Sequence, residues 1–421
     1  MWKAVILIGG PDKGTRFRPL SLNQPKPLFP VAGVPMIQHH IEACVAVPNL
    51  QEIILIGFFP EDENLKNFIN HCRKEFNISI RYLREFSQMG TGGGLYHFRD
   101  QIMAGNPSGI FVMNSDVCCN FPLSEMLKFH LKYASPSNSS TILATNVPSK
   151  ESMFYGCLVE NEETKEVTHY VEKPESFVSP LINCGVYLFS TKIFGMLAEA
   201  VLRNQEEMYA QGVFSDSLSL SLEQDIIMPL TDLGSLYAYQ TTSMWSQIKS
   251  AASAVYANKL YLSLYHKTHP HRLAKSEEGG PMIIGDVFIH PSAKIDPTAL
   301  LGPNVTICAD VRISAGVRVR NSIILNEVNL SNHSCVLNSI IGWKSTIGEW
   351  TRVEGTAQQP DPNAPFAKIV SGSLFDHEGK LSPSITVLGG NVNVESEIVV
   401  LNAIVLPGKD LKSCTKNQII L

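Results

Sequence analysis

Ile289, Ile295, Leu301, Ile307, Ile313, Val319 and Leu325 recur at a strict spacing of six residues. Four residues after each of the first five come Ala293, Ala299, Val305, Val311 and Val317. A hexapeptide period of this kind builds a left-handed parallel β-helix, where each aliphatic points inward and stacks on the coil above. One period held over seven positions disfavours ordinary sandwich strands. The phase is expected to slip near Ser331 and to return at Ile341, Ile347 and Val353. A further strand-rich stretch runs from Ile385 to Leu406. Between them, Gly355–Ser384 does not follow the hexad and contains four Pro. A loop this long in a repeat array reads as a functional insertion.

The first part of the chain has a different grammar. Val5–Ile8, Glu52–Phe58, Ile78–Leu83 and Gly109–Met113 read as buried strands. Ile37, Ile41, Cys44 and Val45 lie at helical spacing, as do Leu65, Phe68, Ile69, Cys72 and Phe76. Alternating strands and helices predict an α/β sheet, which binds ligands at the carboxyl ends of its strands. Ser250–His266 reads as a helix, and the Pro- and Gly-containing Thr268–Pro281 as a linker. The expected domains are therefore 1–250, a helix and linker at 251–282, and a β-helix at 283–421 with an inserted loop at about 355–384.

Charge and cysteine content narrow the function classes. The 34 Lys and Arg against 39 Asp and Glu leave a formal charge of -5, unlike a general nucleic-acid binder. No run of 18 apolar residues predicts a membrane span, and the apolar N-terminus reads as a strand, not a signal peptide. Nine Cys without paired metal spacing fit free thiols in a reducing cytoplasm, not a structural zinc site.

Several motifs could carry chemistry. Gly9-Gly10 open a loop that continues through Gly14-Thr15-Arg16 to Arg18-Pro19-Leu20, and Pro25-Lys26-Pro27 follows. Glycines let backbone N–H groups approach phosphate, and Arg16 and Lys26 would neutralise it. A plain surface turn is the ordinary alternative for the glycine pair alone. Asp116, in Asn114-Ser115-Asp116, could hold Mg²⁺ beside a polyphosphate, or could be a simple turn Asp. Glu172-Lys173-Pro174 and Asn183-Cys184-Gly185 could bind sugar hydroxyls and a sugar phosphate. Gly90-Thr91-Gly92-Gly93-Gly94 could admit a flat base or be a flexible loop. Trp245, Tyr256 and Tyr261 read as core.

Taken in order, these motifs resemble those of the sugar-phosphate nucleotidyltransferases. Phe121-Pro122, Val171-Glu172-Lys173-Pro174, Ile340-Ile341-Gly342-Trp343 and the Ile419-Ile420-Leu421 ending are similar to the GDP-mannose pyrophosphorylase branch. The resemblance implies a Rossmann-like nucleotidyltransferase domain with a mixed sheet. It implies attack of mannose 1-phosphate on the α-phosphorus of GTP, catalysed by positioning and charge neutralisation with Mg²⁺. It places Gly9, Gly10 and Arg16 on the phosphates, Lys26 at the transfer, Asp116 on the metal and Gly90 and Thr91 near the base. Gly156, Glu172, Lys173 and Asn183 would hold the sugar phosphate.

Three departures from that pattern stand out. Pro11-Asp12-Lys13 puts three residues where active relatives have one, removing an N–H donor and adding an acid. Gln247, in Trp245-Ser246-Gln247-Ile248-Lys249, replaces the second metal-binding acid, and Mg²⁺ favours anionic oxygens. The Gly355–Ser384 insertion is absent from the plain catalytic type. The departures resemble the regulatory, alpha-type branch. That branch implies GDP-mannose bound in a degenerate site, self-association, and feedback inhibition of a catalytic beta-type partner. The alternatives are an active guanylyltransferase and a scaffold related to the initiation-factor exchange subunits, which share the two-domain plan.

Overall fold

The computed structural model describes all residues except 12–14, 23, 135–138, 211–218, 358–374 and 376–380. They group into two compact units. One is built from the described residues of Met1–Lys13 and Ile37–Trp245, the other from those of Gly14–Met36, Ser246–Pro362 and Lys368–Leu421.

The first unit holds one nine-stranded mixed sheet. Its strands are β1 (Trp2–Gly9), β2 (Leu50–Gly57), β3 (Ser79–Arg84), β4 (Gly109–Asn114), β5 (Ser140–Asn146), β6 (Gly156–Glu160), β7 (Val167–Glu172), β8 (Leu181–Ser190) and β9 (Leu236–Gln240). The order is β7-β6-β8-β4-β1-β2-β3, with β5 pairing β8 and β9. β1 runs parallel to β2 and β4, whereas β8 runs antiparallel to β4. Val5, Ile54, Ile110 and Val112 are fully buried, as continuous aliphatic runs in a two-sided sheet must be. The expected strands are all present, with ends within three residues of the apolar runs that announce them.

Local signals set the helices. Asp62 caps Glu63–Phe76 by accepting from the Leu65 N–H at 2.9 Å, and Asn77 ends it at φ 48°. Leu65, Ile69 and Cys72 face the core, one helical turn apart. The parallel strands β1, β2, β3 and β4 end at Gly9, Gly57, Arg84 and Asn114, which brings the two loops with chemical motifs to one edge.

In the second unit, three parallel sheets of seven, seven and six strands wind coil on coil, as a left-handed β-helix requires. Leu301, Ile307, Ile324, Ile341 and Leu388 form part of its buried aliphatic core. Ile289 pairs with Ile307, eighteen residues on, but Ile307 pairs with Ile324, seventeen on. The coil therefore shortens before Leu325, ahead of the expected slip at Ser331 but within the same coil length. The reason is the corner at Asn321, one residue shorter than the corner at Pro303-Asn304. A count of apolar positions misses this because Leu325 is also aliphatic and buried.

The corners carry an asparagine ladder. Asn304, Asn321, Asn338, Asn402 and Asn417 all have φ between 46° and 59°. Asn tolerates this left-handed conformation better than other side chains with a Cβ. Asn304 donates to Asn321 at 3.0 Å, and Asn321 to Asn338 at 3.1 Å. Asn338 donates to the Gly355 carbonyl at 3.0 Å, and Asn402 to Asn417 at 3.2 Å. The insertion leaves the coil after Gly355. Its ends are clasped: Thr356 N–H donates to Ser384 O at 2.9 Å. Within it, the residues outside 358–374 and 376–380 show one bridge, Phe375 with Leu381.

The helix Ala251–Thr268 belongs to this unit and begins with a Ser250–Ser253 capping box. Its Asn258 is wholly buried and accepts from the Ala32 N–H at 2.8 Å and the Thr306 hydroxyl at 2.7 Å. That one amide ties the Gly14–Met36 segment to the β-helix. Tyr261 and Trp245 are buried as expected, while Tyr256 is only half-buried.

Candidate functional site

Gly9 ends β1 at φ 69°, a conformation that suits glycine. Its carbonyl accepts from the Phe58 N–H at 2.8 Å. A side chain on Gly10 would come within 2.9 Å of the Phe58 Cβ. Both glycines are thus required by local geometry, and Pro11 after them is exposed. Asp12, Lys13 and Gly14, which carry the widened loop, lie outside the described residues.

Asp116 follows β4 and is half-buried. The motif is pinned on both sides. Ser115 N–H donates to Leu7 O at 3.1 Å, and the buried His40 ring contacts Asn114 O through Nε2 at 3.1 Å. Burial pushes the Tyr155 phenol above the usual tyrosine range, and the charges of Glu151 and Asp116 add to it. Tyr155 packs edge-on against Trp245, whose Nε1–H donates to Cys184 O at 3.0 Å.

The residues expected on the sugar side meet in one network. Tyr170 and Glu172 lie two apart on β7 and so share a face. The Tyr170 hydroxyl donates to Glu172 Oε2 at 2.7 Å. Lys173 Nζ pairs with Glu172 Oε1 at 2.8 Å, and its own N–H donates to Tyr155 O at 3.1 Å. Asn183 is 8% exposed and spends both amide hydrogens, on Tyr170 at 3.2 Å and Tyr187 at 2.9 Å. Its oxygen accepts from the Gly185 N–H at 2.8 Å. Burial drives the Tyr170 and Tyr187 phenols far up, so both remain protonated. Gly156 is the tightest point: a Cβ there would lie 2.1 Å from the Tyr170 hydroxyl and 2.8 Å from Glu172 Oε2.

The glycine run is not a flexible loop. Gly90–His97 is a helix whose Gly92, Gly93 and Gly94 are buried. Gly90 has φ 71° and bridges Leu220, whose carbonyl a Cβ would meet at 2.2 Å. The Thr91 hydroxyl accepts from the Leu222 N–H at 2.8 Å and donates to Glu223 Oε2 at 2.9 Å.

The other predicted residues belong to the second unit. Arg16 is exposed in the turn Thr15–Phe17. Lys26 begins the turn Lys26–Leu28, held between Pro25 and Pro27, and its Nζ lies 5.8 Å from the Phe17 ring centroid. Phe17 packs on Phe29 and Phe29 on Trp343, at 5.0 and 6.3 Å between centroids, so this basic turn rides on the β-helix. Gln247 has a buried side-chain oxygen, Oε1, with no hydrogen-bond partner.

Those residues test the implied Mg²⁺. Among the described residues, no three or more His, Cys, Asp or Glu side chains group to hold a metal ion. Asp116 is a carboxylate, but Gln247 offers only a neutral amide oxygen. This set does not by itself fit a resident divalent cation.

Sequence reasoning missed His40, Tyr155, Tyr170, Tyr187 and Glu223. Tyr170 was readable from the two-residue alternation with Glu172. The others act across elements distant in sequence, which no local pattern displays. All nine cysteines are free thiols, and no described helix is long and apolar enough to cross a membrane.

Comparison with known proteins agrees with this geometry. The nucleotidyl transferase family model matches residues 3–245, and the GMPPB C-terminal domain model matches 283–420. A Xenopus tropicalis chain named mannose-1-phosphate guanylyltransferase regulatory subunit alpha is 60% identical, covering 100% of both chains. A Xenopus laevis chain named mannose-1-phosphate guanyltransferase alpha-B is 59% identical over the same full span. A Bacillus anthracis structure assigned as a glucose-1-phosphate thymidylyltransferase, with bound sucrose, has TM-score 0.51 and 21% identity. It covers 62% of this chain and 95% of its own, and supports the fold alone. By sequence, motif order and sheet topology, the chain belongs to the nucleotidyl transferase family and groups with the regulatory alpha subunits of mannose-1-phosphate guanylyltransferase.

Proposed function

We propose that this chain is a ligand-sensing subunit that binds GDP-mannose in a degenerate nucleotidyltransferase site and feedback-inhibits a catalytic beta-type subunit. The observation that carries the reading is a contrast. The network of Tyr170, Glu172, Lys173 and Asn183 is complete, whereas a neutral Gln247 stands where the family resemblance implies a second metal-binding acid. Binding a finished nucleotide sugar needs shape and hydrogen bonds. Turnover also needs charge neutralisation at the transferred phosphoryl group, and the missing carboxylate weakens that.

In this role Gly9, Gly10 and Arg16 embrace the diphosphate, Lys26 adds a fixed positive charge, and Gly90 and Thr91 border the base. Gly156, Glu172, Lys173 and Asn183 hold the mannosyl phosphate end. The ligand inhibits the partner by favouring one conformation of the complex. The insertion after Gly355 is the proposed reporter to the partner, and the complex acts in the cytoplasm.

The name of the Xenopus laevis relative favours a second reading, in which the chain itself is a guanylyltransferase and Asp116 with substrate phosphates suffices for Mg²⁺. One assay separates them. The purified chain is given GTP, mannose 1-phosphate and Mg²⁺, and GDP-mannose binding is measured alongside. Binding without turnover is expected. Turnover near an ordinary kcat of about 10 s⁻¹ would establish the second reading instead. Absence of binding would remove the sensor.

A further inference from the structure

Two carboxylates open the π-helical turn Leu222–Ile227, and they are used differently. Asp225 is spent on structure: Oδ2 accepts from the Ser221 N–H at 2.7 Å, and Oδ1 lies 3.9 Å from Arg203. Glu223 is half-buried, and both its hydrogen bonds fall on one oxygen. Oε2 accepts from the Thr91 hydroxyl at 2.9 Å and the Ser221 hydroxyl at 3.3 Å. Among the described residues, Oε1 makes no hydrogen bond and no cation pairs with the group. The Glu223 charge nonetheless acts on Tyr187 and Tyr170, whose hydroxyls both receive the Asn183 amide.

Glu223 thus stands between the Thr91 element and the Asn183 network. An ionised carboxylate is an acceptor only, with two oxygens to satisfy, and a half-buried one gains most from a donor that shields it. Phosphate cannot serve, because like charges repel. A hydroxyl can. We propose that Glu223 is a specificity residue for the hexose of the bound nucleotide sugar, its Oε1 accepting a hydrogen bond from a ring hydroxyl while Oε2 holds Thr91 in place. The proposal rests on the reading of this chain as a GDP-mannose binder and adds a further residue that tells the nucleotide sugar from the bare nucleotide.

The test uses the full-length chain, its Glu223→Gln variant and two ligands, GDP-mannose and GDP, titrated calorimetrically. Losing a hydrogen bond to a charged group costs about tenfold or more in affinity. The expected result is GDP-mannose weakened about tenfold in Glu223→Gln, with GDP within about twofold of wild type. Parallel weakening of both ligands would overturn the proposal, because Glu223 would then act only through the Thr91 clamp. Unchanged binding of both would overturn it too. If the variant fails to fold, deoxygenated GDP-mannose analogues on the wild-type chain keep the inference refutable. One hydroxyl deletion must cost about tenfold, and uniform tolerance would refute the inference. Wild-type chain that binds GDP but not GDP-mannose would instead remove the underlying reading, a distinct outcome.

Discussion

The two units satisfy their interior polar groups in opposite ways. In the β-helix the same amide-to-amide bond recurs at one corner, so Asn304, Asn321 and Asn338 have interchangeable roles. In the nucleotidyltransferase unit the polar groups of the candidate site have private partners: Asn183 with two tyrosines, His40 with Asn114 O, Thr91 with Glu223. A repeat distributes the cost of an error over equivalent coils, since each coil contacts only its neighbours. A private network cannot, and a single change there leaves buried partners unpaired. The difference teaches where function resides. The repeat is interchangeable until Gly355 takes the asparagine position, and there the insertion begins.

That break gives the largest expected effect. Because Thr356 N–H and Ser384 O are already joined at 2.9 Å, deleting Ala357–Ser382 shortens a clasped loop and leaves the coil stacked. Inhibition of the beta-type partner by GDP-mannose should vanish, while GDP-mannose binding and melting temperature stay near wild type. Unchanged inhibition of the partner would show that the insertion is as neutral as the repeat around it.

The next tests the private network at its tightest point. Gly156→Ala puts a methyl 2.1 Å from the Tyr170 hydroxyl, so Tyr170 must move and both Glu172 and Asn183 lose a partner. GDP-mannose affinity should fall about a hundredfold, equivalent to about 3 kcal/mol. Isothermal titration of a folded variant with intact affinity would mean that the network is not the sugar site.

His130 carries the third. Burial lowers its pKa to about 4, and its Nδ1 sits 2.8 Å from the Thr141 hydroxyl. The folded value lies below the unfolded one, near 6.5, so the unfolded chain binds the extra proton between these values. Stability is full above about pH 6.5 and falls as the pH drops toward 4, by about 2–3 kcal/mol. Urea unfolding at pH 7 and pH 4.5 reads this. His130→Gln should flatten that part of the profile, and an unaltered slope would assign the acid sensitivity elsewhere.

How much of this was legible follows the same division. The β-helix could be read from its period, and the sheet from its aliphatic runs, because both depend on local repetition. Gly9, Gly10, Asp116, Glu172 and Asn183 were legible as motifs. Their geometric reasons were not: Gly156 is small because of Tyr170, and the Gly90 run forms a helix against Leu220, contacts that depend on chain closure. The shortened corner at Asn321 escaped because it keeps an aliphatic in phase. The widened loop at Asp12–Gly14 and most of the insertion lie outside the described residues.

The smallest effect belongs to the ladder, and it separates the two contributions of one residue. Asn321 holds φ 46°, accepts from Asn304 and donates to Asn338. Asn321→Gly removes the amide but keeps the left-handed corner easy, so it loses the ladder bonds alone, about 1 kcal/mol in a part-buried setting. Asn321→Ala loses the same bonds and adds the strain of a Cβ in that conformation, about 1 kcal/mol more. Chemical denaturation of the β-helix transition should therefore rank wild type above Gly and Gly above Ala. Equal stabilities for Gly and Ala would mean that the corner relaxes, and that Asn recurs there for its bonds alone. Because each coil touches only its neighbours, neither substitution should alter GDP-mannose affinity. A shift in that affinity would mean that the repeat is coupled to the private network after all.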